Sequence, residues 1–275
     1  MSVSTPMPSI FVSQGLPPMA LYDNPYNSSL ADFGRSLPEG IKGIVCVSSH
    51  WISPGPILIT NHNEGSVQHN FYGYQKEIYD LDYRPPGSED LVQKIARLLE
   101  EENYEVGFSN QYGFDHGVWM PLRLIRPHAD VPVIQISLPL FEDPRLVLKL
   151  GKTLSALRDD GVMLMASGAA ALNPSKIVWH AQSGEVNPKI KAFDSWLWSN
   201  LMEANIENIL NYKTTAPYSD FAHPSSANLL PIFFTIGSSQ SGDRPQAIYK
   251  GFKYGSLSLL TFCMMKNKLE INILS

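Results

Sequence analysis

Residues 43–51, GIVCVSSHW, constrain the fold more than any other stretch: an apolar, β-branched run stops at two serines, a histidine and a tryptophan. Such a run without polar alternation suits a strand covered on both faces, as in a parallel sheet sandwiched by helices. Residues 131–138 (VPVIQISL) and 162–166 (VMLMA) read the same way, and 9–13 (SIFVS) and 57–60 (ILIT) are shorter strands. Helical spacing fills the intervals. Ser88 caps a helix reaching about residue 102, with Glu89 and Asp90 in its first turn and Leu91, Ile95, Leu98 and Leu99 on one face. Asp143-Pro144 opens a second, carrying Val147, Leu150, Leu154 and Leu157, and Asn187-Pro188 a third through about residue 205. A further helix begins after His223-Pro224, residues 61–83 form a structured loop, and residues 254–262 are a final strand. The alternation predicts a single-domain α/β protein with a mostly parallel central sheet flanked by helices.

Size supports this, since 275 residues with 44% hydrophobic side chains bury a large core. A net charge of −5 without any Lys/Arg block argues against nucleic acid and against an anionic membrane surface. No apolar run approaches the roughly 18 residues needed to span a bilayer. Cys46 and Cys263 lie far apart in apolar runs and read as small buried hydrophobes. A cytoplasmic protein with a small-molecule partner is expected, and homo-oligomerisation is left open.

In open α/β sheets ligands sit beyond the carboxyl ends of the strands. That places His50 at a candidate site, together with Gln14, which follows SIFVS in the same manner. Asp115 and His116 occupy a Gly-flanked turn before another helix, and a neutral imidazole there can handle a proton near pH 7.

Eight segments in order then carry a resemblance: SQGLP at 13–17, SSHW at 48–51, HNFYGY with YRPPG across 69–87, FDHGVWMPL at 114–122, VPVIQISL at 131–138, ASGAAALN at 166–173, APYSDFAHP at 216–224 and YGSLS at 254–258. Together they resemble the DODA-type extradiol aromatic ring-opening dioxygenases, in the superfamily that includes the class III protocatechuate ring-cleaving subunit. The resemblance spans nearly the whole chain and implies one domain over residues 1–265, with 266–275 (KNKLEINILS) as an extension.

It also implies a pocket for a small aromatic or phenolic molecule of the catechol type. In that family the first strand end reads Ser-His-Gly, a His-Asn pair follows the later strand, and a second His stands five positions after the His of the His-Pro segment. With the histidine of the SSHW-type motif these surround a divalent metal. Here Gln14, Leu172 and Asn228 stand at three of the four positions, and His50 remains. Amide oxygens are weak donors to Fe(II) or Zn²⁺ and an aliphatic side chain is none, so the expectation is no cofactor, or a divalent iron or zinc weakly held at His50. The resemblance implies that His116, with Asp115, does the acid–base work. It implies that Gln14, His50, His69, Leu172, His223 and Asn228 line the substrate pocket. Three functions stay open: a family oxidoreductase, a metal-independent enzyme or small-molecule binder using His116 and His50, and a noncatalytic companion subunit.

Overall fold

The computed structural model describes residues 5–140, 143–181 and 185–268. In chain order the elements are β1 (Ser9–Ser13), α1 (Pro25–Ser36), β2 (Gly43–Ser53), β3 (Ile57–Thr60), α2 (Lys76–Tyr79), α3 (Glu89–Glu101), β4 (Val106–Ser109), α4 (His116–Ile125), β5 (Val133–Pro139), α5 (Pro144–Leu154) and β6 (Val162–Gly168). They continue with α6 (Pro188–Met202), the short α7 (Ile206–Leu210), α8 (Tyr212–Thr215) and α9 (Ser219–Ala222), then α10 (Pro231–Gly237), β7 (Arg244–Tyr249), β8 (Phe252–Lys253), β9 (Leu257–Ser258) and β10 (Thr261–Met265).

Eight strands form one sheet in the order β4-β3-β5-β2-β6-β1-β10-β7. The centre is parallel, with β2 pairing β5 and β6, and β6 pairing β1. Antiparallel pairs close the β10 and β7 side and join β3 to β5. The fold is therefore the expected single α/β domain with a mostly parallel sheet. Strand alternation sorts the core into two layers. Phe11, Val45, Val47, Leu164 and Ala166 face α3, α5, α6 and α10, whereas Ile10, Cys46 and Met165 face α1 and α4. The second layer is tight: a Cβ on Gly34 of α1 would lie 2.1 Å from the Ile125 carbonyl of α4, so only glycine lets these helices approach.

Both cysteines are free and buried, as their apolar surroundings imply. The Ser88 side chain accepts from Leu91 N and starts α3 where its cap signal lies. The expected strand over 254–262 is instead broken: Tyr254 and Gly255 take φ of +53° and +69°, only Leu257–Ser258 pairs with β8, and β10 starts at Thr261. The helix expected after His223 is a 3-10 turn, Ser226–Asn228, with α10 beginning at Pro231, whose missing N–H suits a first helical turn. Two edge strands, β4 and β7, carry no buried alternation and leave no trace in the pattern. Residues 269–275 of the expected extension lie outside the described residues. Among the described residues no helix is long and apolar enough to cross a membrane.

Candidate functional site at the strand ends

The parallel register builds the site. Val12 of β1 and Ser48 of β2 both lie level with Ser167 of β6. Gln14 and His50, each two residues further on, therefore stand on the same face and flank Ser167 from either side. Ser167 Oγ donates to Gln14 Oε1 at 3.1 Å, and Gln14 Nε2 donates to His50 Nε2 at 2.7 Å.

His116, the first residue of α4, brings the second imidazole. Its ring centroid lies 4.1 Å from that of His50, and Phe71 meets it edge-on at 5.4 Å. His116 Nδ1 and Asn70 Oδ1 are 3.1 Å apart, so the neutral ring donates through Nδ1. Nε2 finds no partner among the described residues, and 8% of His116 remains exposed. Burial holds the His116 ring down to about 3, with His50 adding to the effect. His50 is also lowered, chiefly by desolvation, against the opposing pull of Asp115. His50 is exposed as a residue, while the atoms packed around its ring, His116 and Gln14 among them, withhold full solvation from it. Both imidazoles are neutral at pH 7.

Asp115 is fully buried and caps α4. Its Oδ1 accepts from Gly117 N at 2.9 Å and Ser48 Oγ at 2.8 Å; its Oδ2 accepts from Gln135 Nε2 at 2.6 Å and the Tyr112 hydroxyl at 3.4 Å. Four donors saturate the carboxylate, which fixes α4, and with it His116, to β2 and β5. A Cβ on Gly117 would fall 2.3 Å from Gln14 Oε1 and 2.8 Å from Ser48 Oγ, so glycine is what lets α4 start against the strand ends.

The other sequence candidates spread outward. Asn228 approaches over the strand end, where its Oδ1 accepts from Ser49 Oγ at 3.2 Å beside His50. Leu172, 8% exposed, bridges Leu257 in the apolar layer that also contains Phe71. His69 packs against Phe71, Tyr79 and Trp119, with Nε2 3.1 Å from the Leu81 carbonyl, and so ties down the 61–83 loop. His223 is turned into the opposite core layer against Phe193 and Tyr212, with Nε2 3.0 Å from the Ala170 carbonyl. The structure thus joins Gln14, His50 and His116 directly, with Asn228 one residue away. Sequence reading passed over Ser167, Asn70, Tyr112 and Gln135. Only Gln135, a lone amide inside VPVIQISL, carries a signal that could have marked it.

A divalent ion does not fit this donor set. The His50 Nε2 lone pair is already engaged, Leu172 supplies no donor, and the Asn228 oxygen is taken by Ser49. Among the described residues no three His, Cys, Asp or Glu side chains converge as metal ligands would.

A mostly parallel sheet flanked by helices, with imidazoles and carboxamides gathered at its strand ends, defines the chain as an open-sheet α/β protein. The comparisons then give its kinship. A family model described as the catalytic LigB subunit of aromatic ring-opening dioxygenase matches residues 3–257. The 4,5-DOPA dioxygenase extradiol of Escherichia coli (strain K12) is 32% identical over 262 residues, covering 94% of both chains. The 4,5-DOPA dioxygenase extradiol of Beta vulgaris is 31% identical over 254 residues, covering 91% of this chain and 93% of its own. The crystal structure of the uncharacterized protein JW3007 from Escherichia coli K12 superposes with a TM-score of 0.78 at 29% identity, over 94% of this chain and 99% of that one. The chain belongs to the aromatic ring-opening dioxygenase family.

Proposed function

We propose that this member of the ring-opening dioxygenase family takes a small, neutral phenolic aromatic into the strand-end pocket, with His116 accepting a hydrogen bond from the ligand's hydroxyl. The observation that carries the reading is the His116 ring itself: neutral, anchored through Nδ1 to Asn70, with Nε2 unpartnered among the described residues and the His50 ring 4.1 Å away. The edge of Phe71 supplies an apolar wall, and Asn228 keeps its amide N–H groups for a ligand oxygen, since only its Oδ1 is engaged.

Magnitude decides between binding and proton abstraction. With His116 held down to about 3, placing a proton on it at pH 7 costs about 5 kcal/mol, at 1.36 kcal/mol per pH unit. His116 is therefore a weak base, suited to accept a hydrogen bond rather than to take the proton. Charge points the same way. None of the side chains that hydrogen-bond or stack around His50 and His116 is a cation, and the buried Asp115 carboxylate lies behind them. A phenolate would meet no counter-charge.

Ligand-observed NMR with phenols, catechols and ortho-hydroxy carbonyl compounds tests the reading on the full chain, alongside oxygen uptake with the catechols. Neutral phenols are expected to bind, and His116→Ala to weaken them about 10-fold, the worth of one well-made hydrogen bond in a desolvated site. Binding unchanged in both His116→Ala and Asn228→Ala would remove this reading.

A further inference from the structure

We infer that Gln14 is a built-in substitute for a metal ion: its amide group occupies the lone pair of His50 that an ion would need, and replacing the carboxamides and Leu172 by imidazoles is sufficient to create an ion site. This concerns the pocket discussed above but rests on none of its organic ligands.

A metal ion acts on an imidazole in two ways. It accepts the lone pair of one ring nitrogen and fixes the ring's orientation. Here Gln14 Nε2 sits 2.7 Å from His50 Nε2 and does both as a hydrogen-bond donor. The substitution is supported rather than incidental. Ser167 Oγ holds the far end of the amide at 3.1 Å, and the bare Cα of Gly117 leaves the room in which Gln14 Oε1 lies. A second carboxamide, Asn228, is fixed in the same manner by Ser49 at 3.2 Å. Each amide has its oxygen satisfied by a serine. These hydrogen bonds hold both amides in place without any positive charge.

The donor count gives the converse. His50 is retained, and Gln14 and Asn228 are half-buried positions at the ends of β1 and of the 226–228 turn, with side chains long enough to be exchanged for imidazole. With His50 they would furnish three nitrogens, the minimum set of a catalytic zinc or iron site. Leu172, at 8% exposure in an apolar layer, would add a fourth at the expense of packing.

The experiment uses full-length protein purified without chelator, with Co²⁺ as a coloured probe and Zn²⁺ as a competitor. Wild type is expected to carry under about a tenth of an equivalent of metal, to show no visible Co²⁺ band and to keep its Tm within about 1 °C when either ion is added. Gln14→His/Leu172→His/Asn228→His is expected to take up close to one equivalent of Co²⁺, to show the visible absorption of a nitrogen-ligated ion, and to gain several degrees in Tm on loading. Should the buried Leu172 change prevent folding, the double variant Gln14→His/Asn228→His is measured in the same way, with weaker but saturable Co²⁺ uptake expected. Stoichiometric metal in wild type overturns the inference, as does a folded double or triple variant that takes up no Co²⁺. Phenol binding is read separately, so a metal-free protein that binds no phenol sinks the earlier proposal and leaves this one standing.

Discussion

Two polar clusters lie at opposite ends of the same parallel strands, and they are satisfied in opposite ways. Beneath the amino end of β6, in the 3-10 turn Ser155–Asp160, Arg158 is 1% exposed and its guanidinium makes four hydrogen bonds. Nε donates to the Met7 carbonyl at 2.5 Å, Nη1 to the Ser238 carbonyl at 2.8 Å and to Asp243 Oδ2 at 2.6 Å, and Nη2 to the Met264 carbonyl at 3.1 Å. At the carboxyl ends the Asp115 carboxylate is filled by four donors, but of the amides and imidazoles beside it His116 Nε2 and the Asn228 amide are left with hydrogen-bonding capacity. A buried ion pair ringed by main-chain carbonyls holds the chain together. A network with open positions can recognise a molecule.

Breaking the first cluster is expected to give the largest effect. Arg158→Met would strand the buried Asp243 carboxylate and three carbonyls, and a loss of about 3–5 kcal/mol is expected in urea unfolding. A loss under 1 kcal/mol would mean that the two clusters are alike in worth.

Acid sharpens the contrast next. His223 is buried and held down to about 4, against an unfolded value of about 6.5. Between those values the unfolded chain binds a proton that the native state refuses, so stability rises with pH across that window. On acidification it is lost from about pH 6.5 downward, by at most about 1.4 kcal/mol per pH unit, and it stays flat in this respect above pH 7. His116 acts in the same direction down to about 3. Urea titrations at pH 7, 5.5 and 4.5 should show the slope, and His223→Asn should reduce it; an unchanged slope would remove His223 as its source.

Gly117→Ala comes third. The added methyl would press on Gln14 and Ser48, and a loss of about 1–3 kcal/mol together with weakened ligand binding is expected. Smallest is Ser167→Ala, which removes one donor from Gln14 and should cost about 0.5–1.5 kcal/mol by the same urea assay.

The layered fold was legible because covered strands and capped helices announce themselves locally: residues 43–51, the Ser88 cap and Asp143-Pro144 each need only their neighbours. His50, Gln14 and His116 were legible as strand-end and helix-start residues. Their supports were not, because Ser167 and Asn70 act across 153 and 46 residues of chain and carry no local pattern. Asp115 shows the limit most clearly. Beside His116 it reads as an acid–base partner, yet its surroundings, Ser48, Gln135, Tyr112 and Gly117, give it the work of an anchor. The edge strand β7 escaped notice because Arg244, Pro245 and Gln246 face the rim, where no apolar alternation is required.

The placement of β1 has a consequence for how the molecule is made. Its neighbours are β6 and β10, so the amino-terminal strand gains its second partner only when residues 261–265 have been synthesised. Until then one edge of this strand, all of which is buried in the finished fold, stays unpaired on the ribosome, and a chain halted shortly before residue 261 would present that edge to other nascent copies. Completion of the last strand is thus the moment at which this protein becomes safe from sticking to itself.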